Sequence, residues 1–159
     1  MKILNFGSLN LDQVYAVDHF VRPGETLSSG SLHIFRGGKG LNQSVALSRA
    51  GAEVYHAGCV GEDGRMLLEG LTQAGVDTSF VRILSDVPTG HAIIQVDPSG
   101  QNCILLYGGA NQAITPEQIR ETLSCFGQGD LLLLQNEVNG LEQMMSEAKD
   151  RGMRIAFNP

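Results

Sequence analysis

A chain of 159 residues, 42% hydrophobic, 18% charged and 6% aromatic, fits one domain with a core of its own and excludes a disordered segment, a coiled coil or a repeat array. Seventeen acidic residues against 11 basic ones give a formal charge of -6 with no Lys/Arg cluster, which argues against nucleic acid or an anionic membrane as a primary partner. Cys59, Cys103 and Cys125 stand far apart without a C-x-x-C pair and read as buried thiols of a reducing compartment. With no apolar stretch near the roughly 20 residues of a membrane span and no signal-peptide core, a cytoplasmic protein is expected.

Lys2 to Phe6 is an apolar run ended by Gly7-Ser8, the pattern of a buried strand that delivers its carboxyl end to a loop. Val14 to Val17 and Gly30 to Phe35 are more polar strands separated by the turn residues Arg22-Pro23-Gly24-Glu25-Thr26. Arg36-Gly37-Gly38-Lys39-Gly40 opens a helix near Leu41 that closes at Gly51; Glu53 to Val60 is a strand, and Arg65 to Ala74 a helix stopped by Gly75. Thr89 to Asp97, the turn Asp97-Pro98-Ser99-Gly100 and Cys103 to Tyr107 make a hairpin with one wet face. Thr115-Pro116-Glu117-Gln118 combines an N-cap, a proline at the first helical position and a capping-box glutamine. Leu131 to Leu134 reads as a strand covered on both faces. Leu141, Met144, Met145 and Ala148 form a helix's inner stripe, and Arg154 to Phe157 begins one more strand.

The order implies an α/β fold: a Rossmann-like parallel sheet flanked by helices, with a small antiparallel β lid inserted at about 13–36 and 89–107. A chain that stops at Asn158-Pro159, directly after a core strand, leaves that strand without its covering helix. A truncated protein is the expectation.

The glycine-rich segment is neither a P-loop, since Gly40 rather than Ser or Thr follows Lys39, nor a dinucleotide fingerprint, since Gln43 stands where a third glycine belongs. It is either a loop that lets backbone approach a ligand, with Lys39 and Asn42 as donors, or a purely conformational device. Asn10 and Asp12 follow the first strand, where open α/β sheets collect ligands. Two residues apart in an extended segment they face one side, as a polyol site or as an Asx-turn pair. Glu137 lies beyond the carboxyl end of Leu131 to Leu134, as a hydroxyl acceptor or as an acid near the start of the next helix. His19, His33, His56 and His91 lack ligand spacing, so no metal site is assigned.

Gly7-Ser8-x-Asn10-x-Asp12, Pro23-Gly24-Glu25-Thr26, Gly37-Gly38-Lys39-Gly40-x-Asn42-Gln43, Gly61-x-Asp63, Thr89-Gly90, Gly109-Ala110-Asn111 and Gln135-x-Glu137 occur in one order along the whole chain. That set resembles the N-terminal half of the ribokinase family, the PfkB-type carbohydrate kinases. Departures are Met66, where a glycine is common, and Leu41, which replaces a small residue.

The resemblance implies that Asn10, Asp12, Gly38, Lys39, Asn42 and Glu137 bind sugar hydroxyls and that the lid closes the site and pairs two subunits into a homodimer. It implies transfer of the γ-phosphate of ATP, with Mg2+ and room for a monovalent cation, to a sugar hydroxyl, the 5-hydroxyl of ribose being the first choice. Residues 1–159 then form the N-terminal half of such a domain. The catalytic base and the nucleotide site belong to an absent C-terminal half, and the isolated chain is inactive. The alternatives are a kinase of another sugar or a nucleoside, and a noncatalytic sugar-binding or dimerisation module.

Overall fold

The computed structural model describes residues 1–159. Strands β1 (Lys2–Phe6), β4 (Glu53–Gly61), β5 (Asp77–Leu84), β8 (Leu131–Gln135) and β9 (Arg154–Asn158) form a five-stranded sheet in the order β5-β4-β1-β8-β9, every pair parallel. Parallel neighbours need crossovers, which helices α1 (Lys39–Arg49), α2 (Arg65–Gln73), α3 (Pro116–Leu123) and α4 (Leu141–Asp150) supply. Alternation along β1 sends Leu4 and Phe6 to one face, where they pack with Ile119, Leu123, Met144 and Ala148 of α3 and α4. Ile3 points the other way and joins Leu41, Leu67 and Leu71 of α1 and α2. Leu41 and Met66, the two departures noted above, belong to this second cluster and do not wall a ligand cavity with Asn10 and Glu137.

A second sheet, in the order β3-β2-β6-β7, stands apart on strands β2 (Asn10–Ala16), β3 (Ser31–Gly37), β6 (Gly90–Val96) and β7 (Asn102–Tyr107). This lid is mixed rather than antiparallel: β2–β3 and β6–β7 are antiparallel hairpins, but the central pair β2–β6 is parallel. β2 and β6 both climb away from carboxyl ends of the parallel sheet, so they run in the same direction and each turns back through its own hairpin. The lid also begins earlier than the polar sequence suggests, at Asn10, because Asn10 and Asp12 are paired on both sides by β3 and β6.

Two local expectations are corrected. Thr115 caps α3 as expected, its Oγ1 accepting from the Gln118 amide at 3.2 Å, but the Gln118 side chain does not close a capping box. It is buried, donating Nε2–H to Gly58 O at 2.8 Å and accepting from Cys59 Sγ. Of the three cysteines only Cys59 is buried. Cys103 lies on the open edge strand β7 and Cys125 just beyond the C-terminal cap of α3, both exposed.

Candidate functional site

The parallel sheet reverses its winding at β1: the chain moves outward from β1 through β4 to β5, then returns to β8 and β9 on β1's other side. Ligands of such sheets sit beyond the carboxyl ends of the strands at that point. Four elements meet there: the turn Gly7-Ser8-Leu9, the start of β2, the start of α1 and the segment after β8.

Their junction is tight. Helix α1 begins against the Gly7-Ser8 turn, with Leu41 N–H donating to Ser8 O at 3.0 Å and Gly40 N–H to Ser8 Oγ at 3.2 Å. Gly38 takes φ +100°, a conformation open to glycine, and a Cβ there would come within 2.8 Å of Ser8 O. A Cβ on Gly40 would come within 2.4 Å of Ser8 N. The glycine-rich segment thus works by close approach of backbone to backbone.

Glu137 is drawn into this junction. Its Oε2 accepts from Ser8 Oγ at 2.5 Å and from Lys39 N–H at 3.2 Å, and Lys39 Nζ lies 3.7 Å from its Oε1. The carboxylate therefore caps the N-terminus of α1, where free N–H groups favour negative charge, rather than the helix that follows it. The first turn of that later helix, α4, has its own acid, Glu142. Asp12 projects from β2 over Gly37, where any side chain would collide with its carboxylate. Partial burial, with the Glu137 charge nearby, holds the Asp12 carboxyl above its usual range.

Asn10 is fixed from behind. Asn111, buried in the turn after β7, donates to Asn10 Oδ1 at 2.8 Å while its own Oδ1 accepts the Leu9 amide at 2.9 Å. Gly90 of β6 leaves room for this pair, since a Cβ there would lie 2.2 Å from Asn111 Nδ2 and 2.5 Å from Asn10 Oδ1. Asn10 and Glu137 then share a cavity of about 320 Å³ with Tyr107, Asn111, Gln112 and Asn136.

Five of the six residues singled out in the sequence, Asn10, Asp12, Gly38, Lys39 and Glu137, therefore belong to one junction. Asn42 does not join them: it is exposed on α1 and lines a separate groove with Arg36, Arg49 and Gln73. Two participants were missed as side chains. Ser8 and Asn111 both stand inside quoted motifs, and each has a partner more than 100 residues away, Glu137 and the Leu9 amide respectively. The motifs Gly61-x-Asp63 and Thr89-Gly90 also meet in space. Asp63 Oδ1 accepts Thr89 N–H at 3.0 Å and its hydroxyl at 2.6 Å, latching the root of β6 to the end of β4. Burial pushes the Asp63 carboxyl up, but these hydrogen bonds outweigh it and hold it below its ordinary value.

Asn10 and Glu137 line the cavity, and Lys39 and Asp12 stand beside Glu137 at the junction: an amide, an ammonium and two carboxylates, a donor and acceptor set suited to a polyhydroxyl ligand. No three His, Cys, Asp or Glu side chains gather to hold a metal ion in residues 1–159. The helix N-terminus beside the cavity is already matched by Glu137.

The family model described as pfkB family carbohydrate kinase matches residues 1–157, and the chain belongs to that family. Ribokinase of Haemophilus influenzae is 39% identical over 157 residues, covering 96% of this chain and 51% of that protein. Ribokinase of Staphylococcus aureus is 35% identical over 163 residues, covering 99% and 54%. Among solved structures, ribokinase from Cryptococcus neoformans in complex with ADP superposes with a TM-score of 0.84 at 38% identity, over 99% of this chain and 49% of that one. Arabidopsis thaliana ribokinase complexed with ribose and ATP gives 0.84 at 29% identity, over 98% and 52%. The chain spans about half the length of the curated relatives it matches.

Proposed function

We propose that residues 1–159 are the sugar-binding and lid half of an ATP-dependent carbohydrate kinase whose acceptor is ribose. The observation that carries this reading is the convergence of Asn10, Asp12, Lys39 and Glu137, from three distant stretches of chain, on the carboxyl ends of β1 and β8. In this reading Asp12 and Glu137 accept hydrogen bonds from sugar hydroxyls, and the Asn10 amide and Lys39 ammonium donate to them. Gly38 lets the chain pass close to the sugar, and Asn42, which lines a separate groove, is given no contact with it. Ribose is preferred over other acceptors because the relatives named ribokinase match nearly the whole chain at 35–39% identity.

The general base, the ATP and Mg2+ contacts and any monovalent-cation site are assigned to a second half, since the chain spans only half of its relatives. The lid is assigned a second role as a homodimer surface, supported by Leu32, Ile34 and Phe35 on one edge strand and Ile104, Leu105 and Leu106 on the other, all exposed. No helix of the chain is long and apolar enough to cross a membrane. We place the enzyme in the cytoplasm, with the ATP it would use.

Calorimetric titration of D-ribose into the full-length protein tests the reading. Binding is expected, and Glu137→Ala is expected to weaken it by about 1–3 kcal/mol, the cost of leaving buried hydroxyls without an acceptor. Unchanged affinity in Glu137→Ala returns Glu137 to a helix-capping role and removes the sugar assignment.

A further inference from the structure

Beneath the cavity, a row of polar side chains is buried where the neighbouring residues are apolar. Asn5 of β1 and His56 of β4 are cross-strand partners, both fully buried. On that face of the sheet Ile3 and Val54, two residues back on each strand, pack into the core beneath α1 and α2. An amide and an imidazole in such a place are costly unless each polar atom is paired. Here they are. Asn5 Nδ2 donates to Gly40 O and to Ser44 Oγ, each at 2.8 Å, and Ser44 Oγ lies 2.8 Å from His56 Nδ1. His56 Nε2 lies 3.2 Å from Gly7 O.

The chemistry fixes every proton in the row. A carbonyl only accepts, so Nε2 carries the hydrogen, Nδ1 accepts the Ser44 hydroxyl, and that hydroxyl oxygen accepts from Asn5. At its other end Asn5 Oδ1 accepts from Gln135 Nε2 at 2.9 Å, and the same nitrogen donates to Gln43 Oε1 at 2.6 Å. Side chains from β8, β1, α1 and β4 are thus joined in one line.

Both ends of the grip are parts of the site. The β1–β4 ladder stops at Phe6 and Ala57, and the Gly7 carbonyl takes the imidazole where the next backbone partner would stand. Gly58 makes this approach possible, since a Cβ there would lie 2.8 Å from Gly7 O. Beyond Gly7 the chain leaves the sheet at Ser8, whose hydroxyl donates to Glu137. Gly40, held by Asn5 through its carbonyl, gives its N–H to the same hydroxyl.

We propose that Asn5, Ser44 and His56 are positioning residues of the sugar site: they lock the Gly7-Ser8 turn against the first turn of α1 and so set the place of the Ser8 hydroxyl and the Glu137 carboxylate. The link to affinity rests on the sugar-site reading above; the link to the geometry of the turn does not.

The test uses the full-length protein with His56→Asn, whose short amide reaches Ser44 but not Gly7, and His56→Gln, whose longer one keeps a donor for Gly7 O. Thermal stability, D-ribose affinity and amide hydrogen exchange are measured for each. The Gly40 and Leu41 amides, bonded to Ser8 Oγ and Ser8 O, report on the junction. In the absence of sugar they are expected to exchange faster in His56→Asn and to regain protection in His56→Gln. The ribose Kd is expected to rise about tenfold in His56→Asn and to return to within about threefold in His56→Gln, the scale of one hydrogen bond. Ser44→Ala, which breaks the row in its middle, should follow His56→Asn if a position 56 variant fails to fold. Equal exchange in all variants overturns the proposal, as does affinity that follows thermal stability alone. Wild-type protein that binds no ribose overturns the sugar reading instead, and the exchange measurement still decides whether the row holds the turn.

Discussion

The two sheets of this molecule treat polarity in opposite ways. The parallel sheet, covered by α1 and α2 on one face and α3 and α4 on the other, hides Asn5, His56 and Gln135 completely. The lid, built from β3, β2, β6 and β7, leaves Ile34, Phe35, Ile104 and Leu106 open, with Leu105 at 67% exposure. The polar atoms of Asn5 and His56 all find hydrogen-bond partners, whereas Gln135 Oε1 stays buried without one; exposed apolar patches like the lid's are characteristic of surfaces that associate. The site lies on the seam, with Glu137 and Lys39 from the parallel body and Asn10 and Asp12 from the lid's central strand. The lid is held to the parallel body at its root by the hydrogen bonds between Asp63 and Thr89.

The largest contrast between the sheets is in stability. Leu132, fully buried in β8 among the α3 and α4 side chains, is expected to lose about 2–5 kcal/mol on substitution by Ala, measured by urea unfolding. Should that variant unfold at the wild-type midpoint, the parallel sheet would not be the body that carries the fold.

A second effect sharpens the contrast through pH. Burial, opposed by the Gly7 hydrogen bond, depresses the His56 pKa from 6.5 to about 4. Above pH 6.5 the imidazole is neutral in both folded and unfolded chains and contributes no pH dependence. As pH falls from 6.5 to about 4 the unfolded chain takes up a proton that the folded chain refuses. Stability therefore drops by about 1.4 kcal/mol per pH unit, for a total of about 3 kcal/mol, and below that window the contribution is flat. Urea unfolding of wild type and His56→Gln at pH 7 and pH 4.5 isolates it, because the carboxylates titrate alike in both. Wild type is expected to lose about 2–3 kcal/mol more than the variant across that interval. Equal losses would mean that the imidazole is hydrated or charged in the folded state.

The contrast also explains what the sequence could disclose. The apolar strand Lys2–Phe6, the run Leu131–Leu134, the Thr115-Pro116 helix start and the hairpin at Asp97–Gly100 were legible because local pattern and tertiary role agree. Strand β5 was not, since Asp77-Thr78-Ser79 opens it and it lies at a half-covered edge. Nor was the start of β2, because Asn10, Asp12 and Gln13 resemble a loop until β3 and β6 are seen to pair with them. Apart from Asn42, which lies on a separate groove, the charged and amide members of the junction were legible through their order along the chain. Their partners were not: Ser8 finds Glu137 129 residues away, and His56 finds Ser44 only when α1 lies on β4. Gln118 satisfies the capping-box spacing, yet burial against Gly58 and Cys59 claims its side chain. Spacing identifies which groups are capable of a contact, and the fold decides which contact they make.

The smallest expected effect on folding falls on the lid and bears most directly on assembly. Leu105 sits mid-strand in β7, a strand paired only with β6 and exposed along its whole length. A leucine two-thirds exposed on an edge strand contributes little to the folded monomer, so Leu105→Ser is expected to shift unfolding by no more than about 0.5 kcal/mol. If the lid pairs two subunits, the same change removes an apolar anchor from the interface and weakens association far more than folding. Sedimentation of the full-length protein over a range of concentrations separates the two quantities. A dimer that dissociates at higher concentration in Leu105→Ser, with the unfolding midpoint held, fits a surface reserved for a second copy. Identical sedimentation of wild type and variant would remove the homodimer role from β7, since an apolar anchor at an interface cannot be replaced by a hydroxyl without weakening association.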